Sequence, residues 1–335
     1  MTEPKLTQKL LDRNEILFSP FSISNAMATL VIGSTNRDFG NFWELDQTND
    51  VLMSDKFREG LERMHSVLNN DKTKLATLVL STNAVNPAYI STIKSFAQHN
   101  QFDPNNPEQA ANTVNKFVCE LTRHMITKII GPTDIAPTST LILTNAFYFK
   151  DNWRKPFDLL LTKSEPFSSK SGESRQMDMM NGRFKDIDYY EDSTMQAIEL
   201  EYEGKYRMGI ILPRSFSTAL HIPKFIKANV IVKLPKFTIE HKFSLNSILQ
   251  TDPIWSKIFS PGSLEHISPG AYVSDFIHSA KIIVDETGTT AAAASSMGIR
   301  AMCYIPEKWV EFSANHSFIY YIKTGDTVLF AGILD

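Results

Sequence analysis

The apolar residues in the first third of the chain recur at helical spacing in two segments. Residues 18–32 read FSPFSISNAMATLVI, where Ser19 and Pro20 resemble a capped start and the apolar residues that follow predict a buried helix. In residues 106–130, Asn106 is a candidate N-cap and Pro107 suits the first helical position. The apolar stripe that follows consists of Ala110, Val114, Phe117, Leu121, Met125 and Ile129. This spacing predicts one long amphipathic helix, stopped by the Gly131-Pro132 pair.

Strand patterns dominate the rest of the chain. Residues 141–149 form a nearly continuous apolar run, and the lack of alternation predicts a strand buried on both faces at the centre of a large sheet. Further predicted strands are residues 197–202, 207–212, 230–234, 281–285, 309–312, 317–322 and 328–333. Because helices come early and strands late, without a repeating strand-helix-strand order, the pattern indicates an α+β fold.

Residues 288–296 (GTTAAAASS) stand out because every side chain is small. Four alanines flanked by threonines and serines make a weak case for a helix. A segment that has to slide between two strands of a packed sheet needs small side chains, because alternate residues face the core. In that arrangement Thr289, Ala291, Ala293 and Ser295 point inward. The alternative interpretation is a surface loop or short helix without this mobility.

Composition and charge restrict the possible partners. The chain has 335 residues, of which 42% are hydrophobic, and a formal net charge of -3, with acidic and basic residues interleaved. We expect one large domain, residues 1–335, and no nucleic-acid partner. The first residues lack the features of a signal peptide and no apolar run is long enough to span a membrane, so a cytoplasmic protein is expected, unless a non-classical route releases it.

Candidate chemistry is sparse. The two cysteines, Cys119 and Cys303, lack metal-ligand spacing, so both are expected to be free thiols, Cys119 in buried packing; no metal or other cofactor is expected. There is no GxSxG elbow, HExxH motif or glycine-rich phosphate loop. We therefore expect that the protein is not an enzyme.

Several short motifs, taken together, resemble the serpin family in the family's own order. They are residues 18–23 (FSPFSI), 145–150 (NAFYFK) with Trp153 and Phe157, 177–180 (MDMM), 210–213 (IILP), 234–237 (LPKF), 274–278 (SDFIH), 284–294 (VDETGTTAAAA) and 330–332 (FAG). The resemblance implies helices packed around a large central mixed β-sheet, further sheets, and an exposed reactive-centre loop at about residues 286–306. The chain is shorter than most serpins and is similar to compact viral or invertebrate intracellular members.

The resemblance also implies a mechanism. An inhibitory serpin offers its loop as a substrate, and the cleaved loop enters the central sheet as a new strand, carrying the acylated protease with it. The residues that match the hinge of this loop are Glu286, Gly288, Thr289, Thr290, Ala291, Ala292, Ala293 and Ala294. None is bulky or charged after Glu286, which favours an inhibitor. The alternative is a non-inhibitory serpin that acts as a carrier, a chaperone or a protease substrate.

The family's usual spacing from the hinge glutamate places the bait residue at Met302, with Cys303 after the scissile bond. Met302 would suit the apolar primary pocket of a chymotrypsin-, elastase- or cathepsin-G-like serine protease. Arg300 is the alternative bait, and it would suit a trypsin-like protease. A cysteine protease remains a possible target, and the protein itself is expected to be a monomer. Cys303 would make the loop redox-sensitive if its thiol were ionised.

Two further groups of residues match family positions around the sheet. Ser22, Asn145 and His278 match a hydrogen-bonded set of family residues that lies beneath the strands that separate during insertion. In serpins this region is called the shutter. Trp153 matches a tryptophan at the top of the sheet, in the region called the breach. Buried polar groups of this kind are stable only when they satisfy one another, so we expect these side chains to be in contact.

Overall fold

The computed structural model of the 335-residue chain describes residues 3–34, 39, 59–62, 65–66, 69–288 and 308–335. The described residues form two compact units. The first contains residues 18–149 and 240–281 together with the start of the chain, and the second contains residues 10–17, 150–239 and 282–335. The single-domain organisation expected from the sequence stays a prediction.

Helices are concentrated early in the chain, as predicted. They are α1 (Glu3–Asp12), α2 (Pro20–Gly33), α3 (Pro87–Ile93), α4 (Pro107–Leu121) and the single-turn α5 (Asn246–Leu249), with 3₁₀ turns at Pro132–Asp134, Leu159–Leu161 and Trp255–Phe259. Helix α2 confirms the predicted buried helix: Ser19 is its N-cap, accepting a hydrogen bond from the backbone N–H of Ser22, and every residue of the helix is buried. No helix within the described residues is both long and apolar enough to cross a bilayer.

The predicted helix over residues 106–130 is wrong in its second half. Asn106 caps α4 as expected, but the helix ends at Leu121. The backbone then turns through positive φ at Arg123 (53°) and His124 (62°). The Thr122 hydroxyl accepts a hydrogen bond from the backbone N–H of Ile126 at 3.1 Å, and Ile126 is buried in the same core as α4. The apolar pattern thus continued because burial continued, although the helix did not.

Within the described residues, the first sheet has five strands, in the order β2-β1-β3-β10-β9. Its strands are β1 (Thr73–Ser81), β2 (Gln98–Gln101), β3 (Leu141–Phe149), β9 (Phe237–Ser244) and β10 (Val273–Val284). Strand β3 is buried at every residue and lies at the centre of the sheet, which confirms the prediction for residues 141–149. It pairs antiparallel with β1 and parallel with β10. Strand β10 was predicted only at its end, and β1 and β9 were not predicted.

The second sheet, in the part of the chain that the structure describes, has eight strands and lies in the second unit. They are β4 (Lys163–Ser168), β5 (Ser174–Glu191), β6 (Met195–Glu201), β7 (Tyr206–Pro213), β8 (Ile226–Pro235), β11 (Trp309–Ser313), β12 (Phe318–Thr324) and β13 (Thr327–Leu334). The order is β11-β8-β5-β6-β7-β12-β13, and β4 pairs with β5. Two mixed sheets, with most of the helices in the first third of the chain, establish the α+β class that the order of elements predicted.

Candidate functional site

Asn145 is the centre of a buried hydrogen-bond network in the first unit. Its side-chain oxygen accepts hydrogen bonds from Ser22 Oγ at 2.8 Å and from His278 Nδ1 at 2.9 Å. Its amide nitrogen donates to Thr77 Oγ1 at 3.1 Å. Asn145 on β3 and His278 on β10 are register partners, so the network crosses the boundary between these two strands, called here the seam.

His278 is held in one tautomer by its neighbours. The backbone N–H of Ser19 donates to Nε2 at 3.1 Å, so the proton of the neutral ring is on Nδ1, which donates to Asn145. Burial, and to a smaller extent the nearby His241, lowers the pKa of His278 to about 3. A neutral imidazole at physiological pH is what this network requires.

The structure therefore brings Ser22, Asn145 and His278 together as the resemblance implied. Sequence reasoning missed two members of the network. Ser19 was considered only as a helix cap, although its N–H also binds the histidine. Thr77 lies on β1, whose apolar run was not recognised as a strand. An apolar stretch of that length bordered by polar residues was the available signal.

The opposite face of the seam carries hydroxyls without partners. Thr144 Oγ1, Tyr148 OH and Ser279 Oγ are buried and have no hydrogen-bond partner in the part of the chain that the structure describes. Thr144 is the register partner of Ile277, and Ser279 is that of Ala146. Tyr148, Ile277 and Ala146 belong to the apolar core that contains α4. The seam is thus well satisfied on one face and poorly satisfied on the other.

In the second unit, Trp153 holds the turn that follows β10. Its backbone N–H donates to the carbonyl of Thr287, and its indole Nε1 donates to the carbonyl of Asp285, both at 2.9 Å. The buried indole stacks on Tyr202 with the ring centroids 4.3 Å apart. Trp153 therefore bonds to the residues on either side of the hinge residue Glu286, and its assignment to the breach stays a prediction.

Glu286 is buried, at 5% exposure, and is bonded at three points. Its carboxylate accepts from Thr162 Oγ1 at 2.7 Å and lies 2.9 Å from Lys236 Nζ, and its carbonyl accepts from the backbone N–H of Phe157 at 2.8 Å. Burial acts to raise the pKa of Glu286, but the bonds from Thr162 and Lys236 outweigh it and hold the pKa below its ordinary value. Thr162 and Lys236 were not recognised from the sequence, since nothing local marks them.

Gly288 is the last described residue before residues 289–307, and its backbone requires glycine. Its φ is +122°, a conformation that side chains rarely allow. A Cβ there would lie 2.5 Å from the carbonyl oxygen of Asp151 and 2.6 Å from the Cα of Asn152. The expected flexibility of Gly288 is untested, but the close backbone approach is a second reason for a glycine.

The remaining predicted site residues lie outside the described residues. They are Thr289, Thr290, Ala291, Ala292, Ala293, Ala294, Arg300, Met302 and Cys303. Cys119 is half-buried rather than buried, with its Sγ 3.2 Å from Nδ1 of His124. No group of three or more candidate metal ligands occurs within the described ranges.

Comparison with known proteins identifies relatives over nearly the whole chain. The family model described as serpin (serine protease inhibitor) matches residues 4–334. A serpin-like protein of Acanthamoeba polyphaga mimivirus is 30% identical, over 95% of this chain and 84% of its own. The leukocyte elastase inhibitor of Xenopus tropicalis is 28% identical, over 98% and 95%. The crystal structure of Serpin48, described as a highly specific serpin of the insect Tenebrio molitor, matches with a TM-score of 0.85 at 25% identity, over 99% of this chain and 94% of its own.

Proposed function

The chain belongs to the serpin family, and on that premise we propose that it is a suicide inhibitor of a serine protease. Members of this family are mostly protease inhibitors rather than enzymes. The protease cleaves within residues 289–307, and the cleaved segment then enters the five-stranded sheet between β3 and β10. The observation that carries the proposal is the arrangement of the seam: two parallel strands are direct neighbours, and one of them, β10, leads into the loop.

Insertion between β3 and β10 requires the chain to reverse its direction after β10, and the turn that follows β10 starts this reversal. The backbone N–H of Asp285 donates to the carbonyl of Gly288 at 3.0 Å, and that of Gly288 donates back at 3.2 Å. A segment that continues from this turn between β3 and β10 runs antiparallel to both. One parallel interface is then replaced by two antiparallel ones, which pair slightly better per residue. The small side chains of Thr289, Ala291, Ala293 and Ser295 would enter the core without overpacking it.

For the target we propose a chymotrypsin-, elastase- or cathepsin-G-like protease that cleaves between Met302 and Cys303. The support is the unbranched apolar side chain of Met302 and the similarity to a frog protein named leukocyte elastase inhibitor. Arg300 is the alternative bait, for a trypsin-like protease. The cytoplasmic location and the monomeric state expected from the sequence stay predictions, to be checked by cell fractionation and light scattering.

The test is to incubate the purified chain with a panel of such proteases and to analyse the products by SDS gel and mass spectrometry. We expect an SDS-resistant complex and a released C-terminal peptide that begins at Cys303; a peptide that begins at Ala301 would assign the bait to Arg300. The Thr289→Arg variant, in which insertion would bury a charge, should be cleaved at the same bond without forming the complex. Clean cleavage of the wild type with the protease left active would instead show a substrate.

A further inference from the structure

Three consecutive leucines are exposed beside the base of the loop. Leu159, Leu160 and Leu161, called here the leucine knob, are 66%, 87% and 48% exposed. They form a single 3₁₀ turn, capped by Asp158, whose carboxylate accepts from the backbone N–H of Leu160 at 3.0 Å. Single exposed leucines are common on protein surfaces, but three in succession concentrate exposed apolar area in one turn, which makes this turn a candidate interaction site.

The knob is attached to the start of the loop. The residues that flank it, Phe157 and Thr162, both donate hydrogen bonds to Glu286, at 2.8 and 2.7 Å. Residues 158–161 therefore form a short loop, and the residues at both of its ends are hydrogen-bonded to the same hinge residue, Glu286. Glu286 lies two positions before Gly288, the last described residue before residues 289–307.

The knob also lies near the far end of the loop. Asn181 Nδ2 on β5 donates to the Leu161 carbonyl at 3.0 Å. Asn181 is the register partner of Lys233 on β8, which in turn is that of Ser313 at the end of β11, so Asn181 is two strand spacings, or about 10 Å, from Ser313. Strand β11 begins at Trp309, immediately after residues 289–307 and Lys308. Trp309 is four residues, or about 13 Å, from Ser313, so the knob is within roughly 20 Å of both described ends of the loop, a distance that a folded protease bound to the loop can span.

We propose that the leucine knob is a docking surface for the target protease, contacting an apolar patch beside its substrate cleft. This inference rests on the proposed function. The knob adds affinity to the encounter complex, so more encounters proceed to cleavage before the protease dissociates. Basic residues that an anionic lipid surface would favour do flank the knob, at Arg154, Lys155 and Lys163, so a lipid surface is a separate outcome of the test. The protease is the occupant proposed here because hydrogen bonds to Glu286 attach the knob to the loop.

The test compares the second-order rate of complex formation of the wild type with that of a Leu159→Gln and Leu160→Gln double variant. We expect the rate to fall at least about tenfold, a loss of about 1.4 kcal/mol, since one leucine buried in a contact contributes that much and two are replaced. The stoichiometry of inhibition and the unfolding temperature should not change, because both substituted side chains are mostly exposed. The matched control is Phe216→Gln: this aromatic ring is 36% exposed and lies over Lys170, which pairs with Asp335 at the C-terminus, and its loss should leave the rate unchanged.

A free peptide of residues 289–307 serves as a reference, because it contains the scissile bond without the knob. The double variant should bring the cleavage rate of the intact chain closer to that of this peptide. Complex formation at an unchanged rate in the double variant would overturn the docking role alone, whereas a wild type that forms no complex with any protease would overturn the proposed function as well. Unchanged rates together with knob-dependent binding to vesicles of phosphatidylserine and phosphatidylcholine would assign the leucines to a lipid surface and refute the proposal.

Discussion

Removing the unpartnered hydroxyl of Thr144 should stabilise the uncleaved protein. Thr144 lies on β3 at the seam and is fully buried, and its Oγ1 has no hydrogen-bond partner in the described residues. The Thr144→Val variant replaces this hydroxyl by a methyl group and keeps the branched shape that the site already holds. The substitution therefore isolates the cost of burying one polar group at the place where the sheet has to open.

The expected magnitude follows from desolvation. A buried hydroxyl that loses its bonds to water without replacing them costs about 1–3 kcal/mol, so the free energy of unfolding of Thr144→Val should rise by up to that amount. For a domain of this size, a gain of that order corresponds to roughly 2 °C in the unfolding temperature. Thr77→Val is the matched control, because the Thr77 hydroxyl accepts from Asn145 Nδ2 at 3.1 Å. The free energy of unfolding of Thr77→Val should fall by a similar amount, since the buried amide of Asn145 is left without its acceptor.

The same substitution should slow insertion. When β3 and β10 separate, the Thr144 hydroxyl regains partners, so the wild type recovers its desolvation cost on opening and the valine variant does not. We expect a higher fraction of cleaved but uncomplexed Thr144→Val after reaction with the target protease. The measurements are urea unfolding followed by tryptophan fluorescence and quantitative SDS gels. Thr144→Val that is less stable than the wild type, while Thr77→Val behaves as stated, would show that the hydroxyl has a partner and would refute the reasoning.

Three other outcomes test the network and the hinge. The pKa of His278 is about 3 in the folded protein and 6.5 in the unfolded chain, so the unfolded chain takes up the proton first as the pH falls. The free energy of unfolding should therefore decrease by about 2 kcal/mol between pH 7.5 and pH 5. Urea titrations of His278→Gln should lack this part of the pH dependence, and those of the exposed His221→Gln should keep it. Gly288→Ala should destabilise the turn by more than the roughly 1–3 kcal/mol typical of backbone strain, since its Cβ would also clash with the backbone of Asp151. Gly172→Ala is the control in thermal unfolding: the φ of Gly172 is +86° and nothing lies within 4 Å, so it should show the backbone strain alone. Lys236→Gln should raise the pKa of Glu286 and lower the free energy of unfolding at neutral pH by about 1–2 kcal/mol. This is less than the loss of a fully buried ion pair, because the lysine is one-third exposed. Stability equal to that of the wild type would mean that the Thr162 hydroxyl alone satisfies the carboxylate.

The prediction from sequence was most accurate where one segment carried its own signal. Helix α2 and strand β3 are mostly apolar and buried at every residue, and their lengths and flanking residues distinguished a helix from a strand. Strand β9 alternates between buried and exposed residues along half of its length, a pattern that was present and overlooked. The helix predicted as far as residue 130 failed for a different reason: apolar spacing reports burial, and Ile129 and Ile130 are buried without being helical.

The sequence by itself determined the fold class, the family through its ordered motifs, and the identity of the residues that face the seam, because each of these depends on local patterns or on the order of elements along the chain. Only the tertiary structure decided which polar groups are satisfied. Asn145 and Thr144 are adjacent and equally buried on β3, yet one forms three hydrogen bonds and the other forms none with the described residues. Successive residues of a strand point to opposite faces, and what each side chain meets there is supplied by segments distant in the chain, such as α2 and β10, so no local pattern encodes it.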